Sequence, residues 1–115
     1  MKIERESLNP IEFDGLEIRD YTVEVDESSS IAEITVPAGA RHKQAWSKRS
    51  DKYYYVIDGT ISFIVNDQVV ELSTGDVCII RRGERFSYEN TTGVIAKLLL
   101  VHTPNFNLNE EEFDS

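Results

Sequence analysis

Few side chains in this sequence are equipped for bond-making chemistry. There are two histidines, His42 and His102, and a single cysteine, Cys78. Cys78 sits in the apolar run Val77-Cys78-Ile79-Ile80 and reads as a buried thiol rather than a nucleophile. Ser47, His42 and Asp51 have the side chains of an acyl-transfer triad. They fall within ten residues on alternating faces, with no nucleophile-elbow glycines around Ser47, so that chemistry is set aside. Two histidines cannot make a three-histidine metal site. A weaker site would need His42, His102 and a carboxylate such as Asp51 or Glu89. Arg41, Lys43, Lys48, Arg49 and Lys52 form the one locally basic segment. It reads either as a solvated loop or as a mouth that attracts an anion. Arg81, Arg82 and Arg85 extend it if their loop lies at the same end of the molecule.

Composition narrows the partners. The chain has 115 residues, 21 acidic against 12 basic, and a net charge of −9. Such a surface argues against nucleic acid and against anionic membranes. One cysteine excludes an internal disulfide scaffold. The start, MKIERESLNP, lacks the apolar core of a signal peptide, and no apolar run approaches the ~20 residues of a membrane span. A cytoplasmic location is expected. The length suits one domain, with residues 1–16 as an arm and residues 103–115 as an acidic tail.

The elements that must position these groups are short strands. Alternation from Leu16 through Tyr21, Val23 and Val25 predicts a strand, broken by Asp26-Glu27-Ser28-Ser29-Ser30. Ala32, Ile34 and Val36 alternate with Glu33 and Thr35 in a second. A third is expected near His42–Ser47. Tyr53 to Ile57 is strongly β-prone, and Asp58-Gly59 reads as a type I′ hairpin leading into Thr60–Val65. Asn66-Asp67 is a weaker turn signal before Val69–Leu72. Further strands are expected over Asp76–Ile80, Phe86–Glu89 and Val94–His102. After Pro104 the pattern is lost, and a loop with a frayed acidic end is expected. Many short strands joined by tight turns, with no convincing helix, predict an all-β sandwich or barrel.

The glycines within that pattern resemble the two sequence motifs of the cupin family. Gly39 matches the first glycine of the first motif and Gly59 its closing glycine. Gly75, Asp76, Gly83 and Asn90 fall on the second motif. The resemblance covers residues 32–102. It implies an antiparallel double-stranded β-helix, the jelly-roll barrel. In metal-binding relatives two histidines, a glutamate and a later histidine converge on one ion. Here those positions are Ala45, Ser47, Lys52 and Phe86, so no metal is expected in the family's usual place and no cofactor is assigned.

Period-2 geometry from Lys52 then turns Tyr54 and Val56 into the barrel. Ala45, Ser47, Phe86, Tyr88 and the even-numbered residues of the last strand, Ala96 to His102, face them. His42, three residues from Ala45, falls on the opposite face. The expected result is an aromatic-lined cup with polar tips. Its candidate ligand-binding residues are Ser47, Lys52, Tyr54, Phe86, Tyr88 and His102. The bland reading is a barrel filled by its own aromatic side chains. If Lys52 is buried, desolvation lowers its pKa by up to ~3–5 units and makes it a candidate base or Schiff-base nucleophile.

The cup suits a small organic metabolite, with an acidic group if the basic segment guards its mouth. A cupin enzyme, either a sugar isomerase or epimerase or an oxygenase with a displaced metal, is the second reading. A non-catalytic scaffold, which needs no cavity, is the third. The outward faces of Tyr53, Tyr55 and Ile57 and of Ile95, Leu99 and Val101 are too apolar for solvent, and a homodimer is expected.

Overall fold

The computed structural model describes residues 1–114. Eleven strands run in chain order: β1 Ile11–Phe13, β2 Leu16–Asp20, β3 Ser30–Val36, β4 Arg41–Ser47, β5 Asp51–Asp58, β6 Thr60–Val65, β7 Gln68–Ser73, β8 Val77–Ile80, β9 Phe86–Glu89, β10 Ala96–Thr103 and β11 Glu111–Phe113. They form two antiparallel sheets, ordered β1-β2-β3-β10-β5-β8 and β11-β4-β9-β6-β7. The sheets face each other as a jelly-roll barrel. Strict alternation explains the packing: in β10 every even residue from Ala96 to His102 is buried, and the odd ones are half-exposed. The core between the sheets is built on Tyr54, Phe63, Phe86 and Tyr88, each at most 1% exposed.

Three local expectations are corrected. The strand from Leu16 stops at Asp20, before Tyr21, Val23 and Val25. The Asp20 carboxylate accepts hydrogen bonds from the Thr22 and Val23 amides at 3.1 and 3.0 Å, which bends the chain into a turn. Asp58-Gly59 is not a hairpin, because β5 and β6 lie in different sheets. Gly59, at φ +103°, is where the chain crosses between them. A Cβ at Gly59 would come within 3.0 Å of Ala96 Cα, so the glycine serves a close approach as well as a turn. The tight hairpin is instead at Asn66-Asp67, with φ of 48° and 67°, joining β6 to β7 with Val65 opposite Gln68.

The third correction concerns the end of the chain. The region after Pro104 is structured. Residues Leu108–Glu110 make a 3₁₀ turn, with the Asn107 side chain accepting from the Asn109 amide. Strand β11 then adds to the edge of β4, with Glu111 opposite Ser47 and Phe113 opposite Ala45. The N-terminal arm ends in β1, an edge strand on the other sheet. The two terminal strands therefore stand at the margins of opposite sheets, and both contribute to the wall of the cup.

Candidate functional site

His42 is brought inside by a local irregularity. Three steps along β4, from His42 to Ala45, match only two along β9, from Tyr88 to Phe86. One extra residue in β4 shifts the parity, so His42 and Ala45 are both buried. The imidazole packs 5.0 Å from the Tyr88 ring and 5.3 Å from those of Phe13 and Phe86. Its Nδ1–H donates to the Lys43 carbonyl at 2.6 Å, which leaves Nε2 with the lone pair. Burial lowers its pKa to about 4. The Lys43 hydrogen bond opposes that shift, and the nearby Lys52 charge adds to it.

A second cluster forms around Lys52. Its ammonium donates to His102 Nε2 at 2.8 Å and to Glu111 Oε1 at 2.6 Å. Lys52 and Glu111 side chains are each 4% exposed. Desolvation lowers the Lys52 pKa and Glu111 opposes the shift. Burial, and then the adjacent ammonium, push His102 far below the usual imidazole range. His102 is therefore a neutral acceptor. The Phe106 ring lies 5.3 Å from His102.

Between these groups lies a cavity of about 240 Å³. His42, Lys52, Tyr54, Tyr88, His102 and Glu111 line its polar parts. Ile11 and Phe13 of β1, the Phe106–Leu108 segment and Phe113 of β11 supply apolar wall, with Phe13 and Phe113 rings 5.4 Å apart. Two buried polar atoms among these lining residues have no well-formed hydrogen bond, Glu111 Oε2 and Tyr88 Oη, the latter with the Tyr54 hydroxyl near enough to bear on its protonation. Leaving such an atom unmet costs roughly 1–3 kcal/mol, more where it is charged. Burial also raises the pKa of both phenols, Tyr54 and Tyr88, so they stay protonated.

Of the six residues expected to meet a ligand, Lys52, Tyr54, Tyr88 and His102 line the cavity and Ser47 and Phe86 do not. The Ser47 hydroxyl instead accepts from the Arg49 and Ser50 amides at 3.1 and 2.9 Å, which shapes the β4–β5 loop. Phe86 is core, with Lys52 Nζ 5.5 Å from its ring centre. His42 and Glu111 are the residues that sequence reasoning misplaced. A one-residue bulge leaves no trace in hydrophobic alternation. Glu111 lies in an acidic run that reads as solvated.

The family's metal positions do not suit a metal here. Ala45 and Phe86 offer no donor, the Ser47 hydroxyl is engaged, and Lys52 carries its own positive charge to the spot. The displaced site from His42, His102 and Asp51 or Glu89 is not assembled: among the described residues no group of three His, Cys, Asp or Glu side chains could hold an ion. Asp51 instead accepts from the Arg82 amide at 2.8 Å and pairs with Arg81. Most of the rest of the basic segment is similarly engaged, Arg41 and the Arg82 guanidinium being the members without an ion pair among the described residues. Lys43 pairs with Asp14, Lys48 with Glu112 and Arg85 with Asp114, while Arg49 donates to Asn105. Cys78 is buried, and burial raises its thiol pKa.

A two-sheet jelly roll with an aromatic-lined cup, pinned by Gly59, Gly75, Gly83 and Asn90, defines a class, and the sequence agrees. The chain belongs to the cupin domain family, whose model matches residues 32–102. Among curated proteins it is similar to the tetracenomycin polyketide synthase protein TcmJ of Streptomyces glaucescens, 29% identical over 77 residues. That match takes in 67% of this chain and 52% of that protein, so the chain spans about half the length of the curated relative it matches. Among solved structures it resembles Pac13 from Streptomyces, described as a unique nucleoside dehydratase. A form with uridine has a TM-score of 0.88 at 23% identity, covering 99% of this chain and 90% of that one. Solved uridine forms of Pac13 include a histidine-to-glutamine and two tyrosine-to-phenylalanine variants. A predicted oxalate decarboxylase from Thermotoga maritima has a TM-score of 0.81 at 21% identity, covering 90% of this chain and 99% of that one. No helix among the described residues is long and apolar enough to cross a membrane.

Proposed function

We propose that the cup binds a small, neutral, hydroxyl-bearing organic molecule of nucleoside-like character. The observation that carries this reading is the cavity itself, apolar over most of its wall and holding two buried polar atoms without well-formed hydrogen bonds. A barrel that served only as a scaffold has no reason to leave such a space. A neutral ligand is preferred here to the anionic one expected from the basic segment, because Lys52, the cationic side chain inside the cup, is already paired with Glu111. Uridine is the natural probe, since it is the molecule found with Pac13, whose fold this chain shares. Isothermal titration calorimetry with uridine should give saturable binding at one site per chain. Absence of binding at millimolar uridine overturns the reading.

One observation favours a second reading, an acid–base enzyme of the isomerase, epimerase or dehydratase kind. His42 is held neutral beside the cavity with Nε2 free to accept a proton, and the protonated Tyr88 phenol is its neighbour. Such an enzyme would promote uptake of solvent deuterium next to the carbonyl of a pentose such as D-ribulose. His42→Gln should stop the uptake, and equal exchange in both proteins removes this reading.

A twofold dimer is proposed through the outer face of the larger sheet, where Tyr55, Ile57, Val77, Ile79 and Ile95 are exposed. Light scattering after gel filtration should give twice the chain mass, and a monomer mass at micromolar concentration contradicts it.

A further inference from the structure

We propose that Glu111 selects the ligand of the cup: its free oxygen takes a hydrogen bond from a hydroxyl or N–H of the bound molecule, and an anionic group is turned away from that place. This deepens the ligand-site reading above and rests on it.

The two oxygens of Glu111 have unequal lives. Oε1 is held by the Lys52 ammonium at 2.6 Å, which fixes the orientation of the carboxylate. Oε2 is buried, without a partner, on a residue that lines the cavity. A carboxylate oxygen offers lone pairs and no proton, so only a donor can satisfy it. The placement is built into the fold. Glu111 sits opposite Ser47 in the β11–β4 pairing, and the Lys48 amide donates to the Glu110 carbonyl at 2.8 Å beside it.

The charges around the cavity point the same way. Lys52 is the one cationic side chain in the lining, with His42 and His102 both neutral by burial. Against it stand Glu111, Glu12 and Asp20. A carboxylate or phosphate entering here meets a neutralised ammonium and an excess of acids. A hydroxyl or amide N–H meets an acceptor that lacks a partner. The Tyr88 hydroxyl adds a donor for an acceptor atom elsewhere on the ligand.

The test compares wild type with Glu111→Gln, which keeps the shape but presents an NH₂ where the free oxygen was. Calorimetry would use uridine, a dideoxy analogue lacking both ribose hydroxyls, an N-methyl analogue lacking the base N–H, and uridine monophosphate. In wild type, one donor-deleted analogue should bind about 10- to 100-fold more weakly than uridine, the usual worth of a hydrogen bond to a charged group. The monophosphate should bind no more tightly than uridine. Glu111→Gln should lose a similar factor for uridine and show no further loss with that analogue. Equal uridine affinity in the two proteins, or the same loss on donor deletion in both, overturns the proposal while leaving the ligand site intact. Failure of wild type to bind any of the four overturns the ligand-site reading and this inference together. If Glu111→Gln does not fold, the wild-type series decides, because insensitivity to both deletions overturns the proposal by itself.

Discussion

The Lys52 ammonium donates to Glu111 Oε1 across 59 residues of sequence, in a pocket where both side chains are 4% exposed. The cation stands at the position where metal-binding relatives place their acidic ligand, and its counter-charge comes from a strand outside the matched stretch 32–102. The C-terminal strand is thus tied to the cup electrostatically as well as by backbone pairing. Glu111→Ala should cost ~3–5 kcal/mol in urea unfolding, because it strands a buried ammonium. Lys52→Met with Glu111→Met should recover most of that loss, since neither charge is then left alone and only His102 Nε2 is deprived of its donor. A double variant as unstable as the single one contradicts this account.

His42 makes stability depend on pH. Its folded pKa of about 4 lies below the ordinary imidazole value of 6.5. Between those values the unfolded chain binds a proton that the native protein excludes, so stability falls as pH drops from 6.5 towards 4 and His42 adds nothing further below that. The loss amounts to about 3 kcal/mol from this group. His102, also depressed, contributes with the same sign. Denaturation midpoints taken across this window should flatten in part in His42→Gln. An NMR titration showing a His42 midpoint near 6.5 contradicts the burial argument.

Tyr88→Phe separates binding from folding. The hydroxyl is buried without a well-formed hydrogen-bond partner, so its removal should leave the unliganded protein as stable as wild type or more stable by up to about 1–3 kcal/mol. Uridine affinity should nevertheless fall by about tenfold. A drop in stability with unchanged affinity would assign the hydroxyl to the core.

Gly59→Ala tests the sheet crossing. The added methyl would have to fit within 3.0 Å of Ala96 at a φ of +103°. Thermal unfolding should show a loss of ~2 kcal/mol or more, from strain and overpacking together. A neutral effect would show that β10 can retreat from the crossing.

The barrel was legible because burial in strands has period two. Tyr54, Val56, Leu98 and Leu100 turn inward as alternation demands. What escaped was set by features without periodicity. The bulge that turns His42 inward leaves the residue types around it unchanged. The Asp58-Gly59 pair has hairpin chemistry, but the partner of β5 is β10, and pairing over that distance is a tertiary choice. Glu111 lies among acids at the end of the chain, and only the arrival of Lys52 and His102 beneath it distinguishes it from its neighbours. Of the cup's chemistry, Lys52, Tyr54, Tyr88 and His102 were readable from strand parity, while Glu111 and the inward turn of His42 required the three-dimensional fold.

The most direct test of the central claim is a crystal structure of the protein soaked with uridine. The nucleoside should lie inside the cup, with a donor on Glu111 Oε2 and the Lys52–Glu111 pair intact. An empty cup, or a divalent ion bound by His102 and Glu111 with Lys52 displaced, would contradict that claim.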